Sequence, residues 1–135
     1  MIEINNLGKS SLQNKFLEKI AKVILKGEKS KLILSVVLVS KNKIKELNKR
    51  YRKKDRQTDV LSFIYSKQEG EIVLCTEIIR ENAKKFNSTF KKELKRILIH
   101  GVLHLFGYSH EESKVKAKKM QEKENYYFNL CQKII

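Results

Sequence analysis

Apolar residues recur along the chain in two rhythms. Leu12, Phe16, Ile20, Val23 and Ile24 sit three or four apart, which lines up side chains on one face of a helix, and Gly27 ends the run. Ser10 or Ser11 is the expected cap of that helix. Leu32 to Val39 is rich in branched residues and predicts a buried strand, while residues 1–5 alternate and predict a short edge strand. Helical spacing returns over Ser40 to Tyr51, with Ile44, Leu47 and Tyr51 directed at the core. Thr58 to Ile64 has the composition of a strand. After a polar turn ending at Gly70, Glu71 to Leu74 makes another, so 60–64 and 71–75 are expected to pair as a hairpin. Three helices follow: one capped by Thr76 and running to about Phe86, one capped by Ser88 or Thr89, and one over about 112–131. The middle one carries Phe90, Leu94, Ile97, Leu98, Val102 and Leu105 on its apolar face; the last presents Lys114, Lys116, Lys118, Lys119 and Lys123 outward. About four strands and five helices without regular alternation predict a small α/β layer rather than a doubly wound sheet.

No repeat, linker or low-complexity tract interrupts this pattern, so residues 1–135 read as one domain. A hydrophobic share of 41% excludes general disorder. The amino terminus lacks a basic region followed by an apolar stretch, and the longest apolar run is broken by Ser35 and too short to cross a bilayer. A cytoplasmic protein with no membrane association is the expectation. Cys75 and Cys131 form no C-x-x-C pair and read as reduced thiols, and Cys75 is too far from the histidines in sequence to be chosen as a ligand. The net charge of +15, from 30 basic and 15 acidic residues, suits a polyanionic partner, nucleic acid before others. A lysine-rich, proline-free composition offers a rival explanation, so charge supports a nucleic-acid partner without deciding it.

Candidate chemistry is concentrated in eleven residues. His100, His104 and His110 are the chain's entire supply of histidine. The first two are one helical turn apart, and Gly107 is suited to end the helix and swing the third round. Three imidazoles predict a metal site with an open fourth position for water, and zinc is preferred over other metals that imidazole suits. His100 and His104, with Glu93, fall beside the apolar stripe, where a cleft wall is expected. The zinc-peptidase helix H-E-x-x-H extends to x-x-G-x-x-H, and His104-x-x-Gly107-x-x-His110 has that spacing. Gly101, however, stands where peptidases place their glutamate base. A bound metal can still lower the pKa of water to roughly 7. Such a site suits an anionic electrophile, a phosphodiester, clamped by arginine. The basic loop Arg50-Tyr51-Arg52-Lys53-Lys54-Asp55-Arg56 supplies the cations: Arg52 is expected in the cleft with Tyr51 anchoring the loop, and Arg50, Lys53, Lys54 and Arg56 are candidate substrate contacts.

These residues also form a family pattern. Leu47-Asn48-x-x-Tyr51-Arg52-x-x-Asp55-x-x-Thr58-Asp59-Val60-Leu61-Ser62-Phe63, then Gly70-Glu71-Ile72, then His100-Gly101-x-Leu103-His104-Leu105-x-Gly107-Tyr108-x-His110 closely resembles the YbeY family of bacterial ribosomal RNA maturation endoribonucleases over about residues 32 to 128. The resemblance implies an α/β fold with a small mixed sheet and a metalloprotease-like zinc site. It implies a metal-dependent endoribonuclease selective for single-stranded RNA, acting in 3′-end maturation of 16S ribosomal RNA and in ribosome quality control, with the small ribosomal subunit as partner. By motif match His100, His104 and His110 would bind one zinc ion and Arg52 would be the functional arginine. Thr58, Asp59 and Ser62 belong to the second motif, and the plainer role of supporting the site by hydrogen bonds is favoured for Thr58 and Ser62. Ile64, Glu71 and Ser109 depart from the family's common residues, and Ser109 removes a carboxylate beside the site. Two other readings are a non-catalytic ribosome-assembly factor with a mainly structural zinc, and a peptidase, which Gly101 disfavours.

Overall fold

The structure is a computed structural model that describes residues 1–6 and 11–134. Its elements run β1 (Ile2–Asn6), α1 (Ser11–Gly27), β2 (Ile33–Val39), α2 (Lys41–Arg52), β3 (Val60–Ile64), β4 (Glu69–Cys75), α3 (Thr76–Lys85), α4 (Phe90–Leu105) and α5 (Lys114–Leu130). The four strands form one mixed sheet in the order β1-β2-β4-β3. β1, β2 and β4 are parallel, and β3 joins β4 as the antiparallel hairpin, with Ser62 opposite Ile72. Parallel neighbours need crossovers, and α1 makes the one between β1 and β2. This is the small mixed α/β layer that the pattern and the resemblance imply.

One face of the sheet carries the main core. Leu34, Val36, Leu38, Ile72 and Leu74 meet α1, α4 and α5 there, while on the other face Ile44 of α2 packs with Leu61, Val73 and Cys75. β2 is accordingly buried at every second residue, and the residues between them are half-buried apart from exposed Ile33. α4 is the central helix: ten of its sixteen residues are buried, and it touches α1, α3, α5 and both strands of the hairpin. A helix covered on almost every side must resolve its polar groups internally. Glu93 does so in a two-pronged pair with Arg96, at 3.2 and 2.7 Å, and not by joining the histidines. Lys95 donates to the Cys131 carbonyl at 2.9 Å, placing its charge at the carboxyl end of α5 and pinning that helix to α4.

Local chemistry departs from the expected boundaries at several points. The cap expected at Ser10 or Ser11 and the Leu12 side chain lie outside the described residues and side chains. α3 is capped by Cys75, without a side-chain bond, and Thr76 is already helical because the chain leaves β4 straight into the helix. Thr89 caps α4 and accepts from the Lys92 amide. α2 runs on to Arg52, and Lys53 ends it in the left-handed conformation at φ 57°, so three of the seven residues of the expected basic loop are helix. Gly70 lies within β4 opposite Ile64, where a Cβ would come within 3.0 Å of Leu105. Tyr51 does not reach the core; it is 58% exposed. Both cysteines are free and buried. No helix among the described residues is long and apolar enough to cross a membrane.

Candidate active site

His100 and His104 stand one turn apart on α4, both half-buried, with their Nε2 atoms facing each other at 3.1 Å. α4 closes at Phe106, and Gly107 follows with φ 88° while its amide donates to the His104 carbonyl. A Cβ on Gly107 would meet nothing, so the backbone angle and not space requires glycine here. The reversed chain brings back His110, whose ring stacks near that of His100, 5.7 Å between centroids and 12° from parallel. His100 therefore has His104 on one side and His110 on the other.

A fourth residue organises them. Glu124 of α5 contacts His100 Nδ1 with Oε2 and His110 Nε2 with Oε1, each at 2.7 Å. A carboxylate can only accept, so Nδ1 of His100 and Nε2 of His110 are the donating nitrogens, which leaves Nε2 of His100 turned toward His104. Burial pushes the Glu124 carboxyl up, but the bonds and charges of His100 and His110 outweigh it and hold the group below its ordinary value. His104 is pushed down by burial first and by His100 and His110 next, which favours neutral imidazole, the form that ligates metals. Ligand atoms of His100, His110 and Glu124 all lie within 4.8 Å of one another, a grouping fit to hold a metal ion. The donor set of imidazoles plus a carboxylate suits zinc by its chemistry.

His100 and His104, but neither His110 nor Glu124, line a cleft of about 580 Å³ beside the edge strand β3. His100 and His104 line one side; Arg52, Lys54 and Arg56 line the other, and Thr58 and Ser62 lie between. Three hydrogen bonds fasten the walls. Arg52 donates from its guanidinium to the Ser62 carbonyl, Ser62 Oγ donates to the Gly101 carbonyl at 3.1 Å, and buried Asn48 donates to the Arg56 carbonyl at 3.0 Å. Asp59 sits just before β3, accepting from Thr58 Oγ1 at 3.4 Å and, through its carbonyl, from the Cys75 amide. Arg50 instead faces Glu46 on its own helix at 3.8 Å, and neither it nor Lys53 lines the cleft. Cys75 lies in the core cluster beneath α2, away from the histidines.

Gly101 has a second reason to be glycine. A Cβ there would come within 3.2 Å of both Ile72 and Val60. The position faces the sheet, so α4 can lie close enough to bring His100 and His104 to the edge of β3. A peptidase glutamate, absent from the sequence, would also crowd Ile72 and Val60 at this position.

The motif geometry is matched by whole-chain similarity. Residues 3–132 match the family model described as Endoribonuclease YbeY. The chain belongs to that family. Among curated YbeY endoribonucleases it is 44% identical to one from Thermotoga neapolitana, over 94% of this chain and 86% of the relative. The YbeY endoribonuclease of Aquifex aeolicus is 37% identical over 76% of this chain and 72% of its own. A solution structure of a Thermotoga maritima protein is similar in fold, with a TM-score of 0.71 at 42% identity, over 96% of this chain and 87% of that one.

Two residues beyond the YbeY motif read from the sequence hold this arrangement together. Glu124 escaped notice because it sits among the lysines of α5, 14 residues after His110 in the chain, with no local spacing to tie it to a histidine. Glu28, just past α1, is likewise invisible to spacing. Its carboxylate accepts from Tyr108 at 2.8 Å, Lys123 at 3.1 Å and Tyr127. Tyr108 lies on the turn that carries His110, and Lys123 adjoins Glu124, so one carboxylate anchors both. Lys123 thus turns inward to Glu28 where an outward lysine is expected. Burial would push Glu28 up; the bonds from Tyr127, Tyr108 and Lys123 outweigh it and hold the carboxyl below its ordinary 4.5.

Proposed function

We propose that the chain is a metal-dependent endoribonuclease that cuts single-stranded RNA, acts in 3′-end maturation of 16S ribosomal RNA and in ribosome quality control, and works on the small ribosomal subunit in the cytoplasm. The observation that carries this reading is the two-walled cleft: imidazoles on one side, Arg52, Lys54 and Arg56 on the other, and no carboxylate at position 101. In this reading His100, His104 and His110 hold one zinc ion. Bound there, zinc supplies Lewis acidity and a water made acidic near neutral pH.

The protein's own groups do the rest. Arg52, tied to β3 by one of its five donors, turns the remaining guanidinium face to the phosphate and offsets the charge that gathers on its oxygens. Lys54 and Arg56 hold the neighbouring phosphates, and Arg50 and Lys53 add charge that draws the strand in from a distance. Ser62 keeps the arginine wall in register with α4, Thr58 bonds the side chain of Asp59, Asp59 holds the start of β3 to the end of β4, and Glu124 keeps His100 in the required tautomer. What favours RNA over peptide is this set of cations together with Gly101.

The test is cleavage of unstructured RNA by metal-loaded protein, beside metal analysis of the same sample. Cleavage that stops on chelation, returns with zinc and is missing from a folded His104→Ala variant is expected. Equal cleavage by that variant would remove the reading.

A further inference from the structure

Tyr51 has helical spacing suited to the core, yet its ring is 58% exposed. It stands edge-on to Phe63 of β3, 5.5 Å between centroids and 72° apart. Cations flank the pair: the Arg52 guanidinium lies 5.4 Å from the Phe63 ring and that of Arg50 lies 6.0 Å from the Tyr51 ring. Tyr65, just beyond β3, is 64% exposed, with its hydroxyl donating to Glu71 at 2.6 Å. Exposed rings therefore gather beside the edge strand, and Arg52 belongs both to them and to the cleft that His100 lines.

Rings held open to water between guanidinium groups are well matched to a strand that alternates phosphates with flat apolar bases. The cations take the phosphates, and a base whose face is free stacks on the ring. Bases of a duplex have no free face to offer. A protein partner would also favour tyrosine and arginine, but the run of charge from Arg50 through Arg52, Lys54 and Arg56 favours a polyanion.

We propose that Tyr51, backed by Phe63, is a stacking platform for an unpaired base of the RNA strand as it passes Arg52 on the way into the cleft. The proposal rests on the endoribonuclease reading and adds to it the feature that selects single strands. The platform lies outside the reacting groups, so its contribution belongs to substrate capture.

The test uses the metal-loaded full chain and a short unstructured oligoribonucleotide, with an abasic ribose-phosphate oligomer of equal length as competitor. Tyr51→Ala is expected to raise KM about tenfold, the scale of one lost base–aromatic stack, with kcat little changed. Tyr51→Phe, which keeps the ring, should restore KM to within about twofold of the parent. The inhibition constant of the abasic competitor should be the same for parent and Tyr51→Ala, since it offers no base to stack. An unchanged KM in Tyr51→Ala, with the parent cleaving normally, overturns the platform and leaves the nuclease standing. So does an equal loss of affinity for the abasic strand, or loss of binding to the ribosomal subunit with RNA kinetics unaltered, which marks a protein-docking face. If the parent itself cleaves no RNA, both readings fall.

Discussion

Ser62 Oγ on the edge strand donates to the Gly101 carbonyl, 39 residues away, in the helix turn between His100 and His104. The same serine accepts from Arg52 through its backbone oxygen. Ser62 therefore joins the arginine wall to the imidazole wall. Ser62→Ala should cost about 1 kcal/mol of stability, a typical net value for one hydrogen bond, and lower RNA cleavage by more than that loss of folded protein explains. Chemical denaturation and single-turnover cleavage of the same preparation check the two effects.

Restoring the peptidase glutamate should not create a peptidase. In Gly101→Glu the new side chain must enter the space of Ile72 and Val60, both 3.2 Å from where its Cβ would stand. Overpacking and a buried carboxylate each cost about 1–3 kcal/mol, and α4 must retreat from the sheet. Thermal unfolding should fall by many degrees, with no casein hydrolysis gained. A variant of parental stability that cleaved casein would contradict the packing at this position.

Glu124 and His104 should differ in how they fail. A partner that orients a ligand changes metal affinity about 10–100-fold, while a lost ligand removes most of it. Glu124→Gln is therefore expected to bind zinc more weakly yet measurably, and His104→Ala to lose it. Competition with a chromophoric chelator ranks the two. The reverse ranking would make His100, His110 and Glu124 the ligand set.

Acid should unfasten the Glu28 anchor. A carboxyl held below its ordinary value in the folded protein stabilises it above that value, and the gain disappears as pH falls through the lowered one. The unfolding temperature should thus drop as pH falls from about 4.5 toward and below the lowered value. Glu28→Gln should flatten that part of the curve and cost about 2 kcal/mol at neutral pH, through weaker bonds to Tyr108, Tyr127 and Lys123. A titration of unfolding temperature from pH 3 to 7 compares parent and variant.

Local signals carried most of the histidine-bearing stretch. Helical spacing, a glycine with a left-handed φ and the Thr89 cap are short-range properties, and they set His100 beside both His104 and His110. Long-range partners were not legible. Glu124 and Glu28 act across elements, and nothing near them in the chain distinguishes them from surface acids. Gly70 and Gly101 read as a turn residue and a missing base, because their real constraint is the approach of Leu105, Ile72 and Val60 from other elements. Tyr51 fits helical periodicity, but the α2 interface closes with Ile44 and Leu47 before reaching it.

The position of Glu124 also means that the site is completed from late in the chain. Every residue that lines the cleft precedes it in the chain, and His100 and His110 gain their shared partner only when α5 is in place. During synthesis the amino-terminal parts of a domain emerge first. A chain still emerging from the ribosome therefore lacks the carboxylate that His100 and His110 share until α5 has been made.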